Sequence, residues 1–329
     1  MREFDISPIK DEFKEEIDSV KKFVTRAHDL RAGEDMNELE LANIQKTVRG
    51  LSYVMMFAAY EKMLRGLCRS LIEVAASFRG KQKNLSTPFR LIGMYPMIQS
   101  ASNSAESDQG NSKSGVTAGS YVRYWSGPLE KSSVSSERDA KKLNPDFWPD
   151  NGSFMQRSQV VFICKFFNLD SAINQLERVN QDIDPVVRYR NSIAHGGQTA
   201  AEIGGNSTKA DILDLLDRWK ERWCAFLDEV YRIASQKDYY LKKITYRAMM
   251  GEFIIYYRGK IVGGIYDDRL LVKPTKSAIS YMPTVTYEIP YENAKEMLLV
   301  EEVDNKDFLT GLFDVMYDEL PTPKPKKKK

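Results

Sequence analysis

The segment DPVVRYRNSIAHGGQ gathers the residue types best suited to work on a phosphodiester: Arg190, Asn191 and His195. Histidine titrates near neutral pH and can take a proton from an oxygen or return one. Arginine stays charged and can grip a phosphate through two parallel hydrogen bonds, offsetting negative charge as the phosphorus is attacked. Asparagine can orient either partner. RNA carries its own nucleophile, the ribose 2′-hydroxyl, so this chemistry requires no metal, no cofactor and no protein nucleophile. Taken alone, the same spacing also serves as an ordinary helix end, with the histidine as a cap or surface group.

On a helix, residues four and five apart lie near one face, so Arg190 and His195 can point to one place, and Asn191 to His195 is a four-residue step. Gly196-Gly197 suits a helix stop, which puts these side chains at a helix end. Glu61 is a possible support that orients Arg190, with a plain helix-surface charge as the alternative. Arg188 is a possible RNA contact, with a solvated arginine as its alternative, and Tyr189 reads as a packing residue. His28 lies on a charged helix face and receives no role.

Other site chemistries find less support. Cys68, Cys164 and Cys224 are widely spaced without a CxxC pair, and they read as reduced core thiols in a reducing compartment. The two histidines do not cluster with other ligand types, so no metal is expected. The start lacks the apolar run of a secretory signal, and no stretch approaches the ~20 apolar residues of a membrane span. A cytoplasmic protein with no membrane partner is expected. Lys+Arg total 48 against 46 Asp+Glu, which excludes a surface basic all over but leaves room for a local patch.

The elements around the motif read as helices. Residues 9–30 carry Ile9, Phe13, Ile17, Val20 and Val24 at three- and four-residue steps. Residues 38–78 give the strongest helical pattern, with one stripe through Leu41, Ile44, Val48, Leu51, Met55 and Ala58, continued by Leu64, Leu67, Cys68, Leu71 and Val74. Tyr53, Val54, Met56 and Phe57 make the opposite face apolar too, so packing on several sides or against a partner subunit is expected. Helices are expected over about 155–168, 171–191 and 208–235, with a Gly-rich break at 196–206. The Ser/Asn/Gly-rich stretch 99–139 reads as a flexible insertion. From about 245 the pattern shortens to strand-length runs, FIIYY, KIVGGIY and RLLVK, separated by Arg258-Gly259 and Asp267-Asp268. Short helical stretches follow near 275–282 and 304–319. The expected fold is an all-α bundle followed by a smaller α+β domain with an antiparallel sheet.

R-N-S-I-A-H-G resembles the R-N-x-x-x-H motif of the HEPN superfamily, and the helix RGLSYVMMFAAYEKMLRGL together with NGSFMQRSQVVFICKFFNLD is similar to the context of that motif in bacterial members. The resemblance covers roughly residues 10–236 apart from the polar insertion. It implies a short helical bundle, often a metal-independent ribonuclease in toxin, anti-phage or RNA-processing systems, with Arg190 and His195 as the catalytic pair and Asn191 beside them. It further implies a homodimer in which two motifs face one cleft, single-stranded RNA as substrate and an antitoxin or regulatory protein as partner. Some members only bind nucleotides or partners, so a non-catalytic scaffold is the alternative.

The remainder, from 237 to 320, is similar to the N-terminal domain of the TfoX (Sxy) competence-regulator family. The matching marks are Arg247, Met249, Gly251 and Glu252, then the Tyr257–Lys260 turn, Asp267-Asp268-Arg269-Leu270, PYENAK and the ELPTPK tail. The usual leading helix is shortened to SQKDYYLKK. The resemblance implies a regulatory or docking domain tied to transcription or DNA uptake. Residues 321–329 read as a solvated Pro/Lys tail.

Overall fold

Residues 1–34, 36–106, 138–176 and 179–322 are described by the structure, a computed structural model. The chain divides into two compact units. The first holds Met1–Lys83 and Thr87–Tyr240, and the second holds Asn84–Ser86 and the chain from Leu241 onward.

The first unit is helical. α1 (Ser7–Asp29) buries Phe13, Ile17, Val20 and Val24, following its sequence stripe. α2 (Glu38–Ala76) begins at a reciprocal cap: the Asn37 side chain accepts from the Leu39 and Glu40 amides at 3.0 and 2.9 Å, and the Glu40 carboxylate accepts from the Asn37 amide at 3.0 Å. At 39 residues α2 runs about 58 Å and forms the spine of the unit. Its burial follows the sequence in most places: Leu41, Val48, Leu64, Leu67, Cys68, Leu71 and Val74 of the stripe are buried, and so are Tyr53, Met56 and Phe57 of the opposite face, while Ile44, Met55 and Ala58 are exposed. The helix packs on more than one side, with its large rings, Tyr60 among them, burying the most area.

α3 (Thr87–Glu106) contains the first residues of the expected insertion, so 99–106 is helical backbone where a flexible segment was expected. Most of that insertion, 107–137, lies outside the described residues, as does most of the tail, 323–329. α4 (Arg157–Phe166) follows, and the single helix expected over 171–191 is two, α5 (Asp170–Leu176) and α6 (Asn180–Ala194). The Gly-rich break expected at 196–206 contains a further short helix, α7 (Ala200–Gly205). Its capping box pairs the Thr199 hydroxyl with the Glu202 amide at 3.2 Å and the Glu202 carboxylate with the Thr199 amide at 2.7 Å. α8 (Lys209–Ala234) buries Trp219, Trp223, Phe226, Leu227 and Val230, with the ring of Tyr60 from α2 5.0 Å from Trp223 and 5.7 Å from Trp219.

α7 lies on α2 through missing side chains. A Cβ on Gly50 would stand 1.9 Å from the Ala200 carbonyl oxygen, and one on Gly204 would stand 1.9 Å from the Lys46 carbonyl oxygen. Arg49 Nε donates to the Gly204 carbonyl at 2.8 Å across the same contact. The chain leaving α6 is thereby fixed on the spine within a few residues.

The second unit is a six-stranded antiparallel sheet in the order β1-β2-β3-β4-β6-β5. The strands are β1 (Ile244–Met249), β2 (Glu252–Tyr257), β3 (Lys260–Tyr266), β4 (Arg269–Val272), β5 (Tyr287–Glu288) and β6 (Met297–Leu299). The first three links are two-residue turns with positive φ at both positions: Met250-Gly251, Arg258-Gly259 and Asp267-Asp268. That conformation matches the twist of neighbouring strands, so these residues set the meander. Its core joins Tyr257, Val262, Leu270, Val272 and Leu298 to α9 (Lys276–Tyr281) and α10 (Lys306–Met316), which supply Ala278, Leu312, Phe313 and Met316. No helix among the described residues is long and apolar enough to cross a membrane.

Candidate active site

α6 turns Ile183, Val186 and Val187 inward. The outer side then presents Asp184, Arg188, Asn191 and His195 at steps of four, three and four, one face of a helix. Asp184, Arg188 and Asn191, with Val187 and Gln156, line a cavity of about 400 Å³. Gln156 stands immediately before α4, where the Asp184 carboxylate accepts from the Arg157 amide at 3.4 Å.

The loop carrying Gln156 is tied down by buried polar groups. Gln159, fully buried, donates through Nε2 to the Pro149 carbonyl and accepts the Asn151 amide at 3.1 Å. Phe154 and Met155 take positive φ, 48° and 66°, which non-glycine residues adopt at a cost. The Tyr60 hydroxyl, buried in α2, holds this turn by donating to the Met155 carbonyl at 2.8 Å.

Arg190 is half-buried at the flank of the same face. Its guanidinium lies 4.2 Å over the ring of Phe57 in α2, and Nη1 donates to Asn191 Oδ1 at 2.9 Å. The ring packs one side of the cation and the amide fixes its rotation, leaving the remaining N–H groups for a ligand. Among the described residues neither Arg190 nor Arg188 forms an ion pair with a carboxylate. Arg218 and Arg222 nearby share Asp182 at 3.6 and 2.6 Å. Arg188 instead lies 5.1 Å over the ring of Tyr189, which packs 4.8 Å from Tyr53.

His195 caps the C-terminal end of the helix, just past Ala194, and is exposed. Its amide donates to the Asn191 carbonyl at 3.0 Å. The Gly196 amide then donates to Ile193 at 3.2 Å and the Gly197 amide to Ser192 at 2.8 Å. With Gly196 at φ 72°, this is a Schellman stop. The imidazole makes no side-chain hydrogen bond among the described residues. The structure thus brings Arg190 and Asn191 into contact and places Arg188 and Asn191 on one cavity. It sets His195 one turn along the same face without a contact to Arg190.

Glu61 is not among the contacts of Arg190; it pairs with Arg65 at 3.1 Å. His28 lies 3.3 Å from Nη1 of Arg49, the same guanidinium whose Nε reaches Gly204 of α7. Gln156 and Asp184 are not singled out by the sequence, and Phe57 reads there only as part of an apolar helix face. Asp184 stands four residues before Arg188, a spacing that could have flagged it. Gln156 and Phe57 reach the site only through tertiary packing. Burial pushes the Cys164 thiol up to about 12 and raises Cys68 as well, so neither is poised as a nucleophile.

The family model RiboL-PSP-HEPN matches residues 11–221. An uncharacterized 12.7 kDa protein in the trpE 5′ region of Spirochaeta aurantia is 33% identical over 82 residues, which are 25% of this chain and 71% of that protein. No solved structure matches the chain.

Proposed function

Because the chain belongs to the RiboL-PSP-HEPN family, whose domains in general serve nuclease or nucleotide-binding roles, we propose that its first unit is a metal-independent endoribonuclease acting on single-stranded RNA. The observation that carries this reading is a pair of arginines, Arg188 and Arg190, free of carboxylate partners among the described residues and set around Asn191 beside an open cavity. In this mechanism a ribose 2′-hydroxyl attacks the adjacent phosphorus, its proton passes to His195, and the 5′-oxygen leaves with a proton. The products are a 2′,3′-cyclic phosphate and a free 5′-hydroxyl. Arg190, held by Asn191 and Phe57, offsets the charge gathering on the phosphate. Two copies of the motif across a homodimer cleft would divide the acid and base roles between two imidazoles. The second unit, with its resemblance to the TfoX N-terminal domain, would act as a regulatory or docking module for a toxin-like or anti-phage effector.

The exposure of His195, with no orienting partner among the described residues, favours a second reading: a HEPN scaffold that binds RNA or a regulatory protein without cleaving. One assay separates the two. Full-length protein in EDTA is expected to cut single-stranded RNA and leave cyclic phosphate ends, and His195→Ala to abolish cutting while the circular-dichroism spectrum is kept. Equal cutting by that variant would remove His195 from the site, and no cutting by the wild type would leave the scaffold.

A further inference from the structure

Beyond Phe57, the same ridge of α2 continues at four-residue steps through Glu61, Arg65 and Arg69. Glu61 pairs with Arg65 at 3.1 Å, and the guanidinium of Arg65 lies 4.7 Å over the ring of Trp148. Arg65 and Trp148, with Ala58, Glu61, Pro145 and Phe147, line a second cavity of about 720 Å³, within the size range of small-molecule sites. From Phe57 to Arg65 the helix rises about 12 Å, which is roughly three to four nucleotides at a stacked rise of ~3.4 Å per strand.

The two cavities also draw on one loop. Trp148 lies at one end of the Gln159-braced loop, and Gln156 of the first cavity lies at the other. The Trp148 side is fixed by Phe147, which packs 5.0 Å from Tyr95 and 5.8 Å from Phe166. The side chain of Arg65 is 53% exposed, so it is not sealed off from a ligand.

We propose that this second cavity is a nucleobase subsite of the RNA path, in which a base several nucleotides from the scissile bond stacks on the Arg65–Trp148 pair. The inference rests on RNA being the ligand of the first unit. Bases stack on aromatic rings and on arginine planes. The local charge favours a base over a phosphate: Lys62 pairs with Glu12 and Glu16 at 2.9 and 2.6 Å, and Arg69 with Asp146 at 2.8 Å, so the rim is close to balanced. Its carboxylates can accept from an exocyclic amino group, as Asp and Glu do from cytosine N4. A base carrying an amino group is therefore preferred to uracil.

The test is fluorescence anisotropy on full-length protein carrying His195→Ala, with labelled oligocytidylates of three and eight nucleotides and an eight-nucleotide oligouridylate. The longer cytidylate is expected to bind more tightly than the shorter one and than the uridylate. Trp148→Ala should weaken binding of the longer cytidylate roughly 5- to 100-fold and erase its advantage over the shorter. Trp148→Phe should keep most of that advantage. Arg65→Lys, which retains the charge but not the plane, should lose part of it. Wild-type-like binding by Arg65→Lys, an unchanged length advantage in Trp148→Ala, or no binding of the longer oligomer by the parent protein would each overturn the subsite. Absence of RNA cleavage by the unmutated chain would sink the nuclease reading and leave this comparison intact.

Discussion

The guanidinium of Arg190 lies 4.2 Å above the ring of Phe57, a cation–ring contact that helps seat the motif of α6 on the spine helix. Phe57 is only 4% exposed, and truncation to alanine would cost about 3–5 kcal/mol of stability. Phe57→Leu keeps most of the volume and removes the ring face. That variant is expected to lower kcat/KM for RNA roughly 3- to 30-fold with a smaller change in urea midpoint. A loss of activity matched by unfolding would show that the ring acts through packing alone.

Arg190→Lys is a sharper probe of the site than a neutral substitution. The charge remains, but the planar fork that meets Asn191 Oδ1 at 2.9 Å is gone. Loss of about a hundredfold in kcat is expected. Full activity with lysine would mean that charge alone suffices and that Asn191 holds nothing of importance.

The Tyr60 hydroxyl is one of the groups that hold the turn before α4. Tyr60→Phe deletes the donor to the Met155 carbonyl and leaves a buried acceptor without its partner, at a cost of about 1–3 kcal/mol. Faster amide exchange should be confined to residues near Met155 and Gln156. Uniformly faster exchange across the unit would instead indicate general destabilisation.

How much of this was legible in the sequence depends on the range of the interaction. The helix stop at Gly196-Gly197 and the step from Asn191 to His195 are local, and each follows from residues a few positions apart. The cap Thr199-x-x-Glu202 is equally local, but the glycines around it carry the pattern of a break. One of those glycines, Gly204, serves close packing instead, and with Gly50 of α2 it lets two backbones meet. The seat of Arg190 on Phe57 joins residues more than a hundred positions apart, and nothing in either segment names the other. That α2 packs on several sides is legible because both its faces are apolar, whereas the exposure of Ile44, Met55 and Ala58 is decided by which partner helices lie alongside.

Gly50→Ala should therefore destabilise the first unit although alanine is the better helix former. Its Cβ would stand 1.9 Å from the Ala200 carbonyl, so α7 must move away. A loss of about 1–3 kcal/mol in urea unfolding is expected. A gain in stability would mean that α7 does not lie on α2 in solution.

His28 supplies a pH test. Burial, with Arg49 and then Lys209 close by, lowers its pKa from the ordinary 6.5, with Asp29 opposing weakly. The unfolded chain then binds the proton more readily than the folded one, so stability is complete above pH ~6.5 and falls as the pH drops towards the folded value. Urea midpoints between pH 7.5 and 5.5 should decline in the wild type, and His28→Gln should flatten that decline. Parallel curves for the two proteins would count against it.

The face shared by Asp184, Arg188, Asn191 and His195 exists because the residues between them number three, two and three. Each added or removed residue turns everything beyond it by ~100° about the axis. Ser192, Ile193 and Ala194 thus act as a ruler, and their count governs where the imidazole points more than their identity does. Substitutions there leave the bearing of His195 intact, whereas a one-residue deletion swings it off the arginine side.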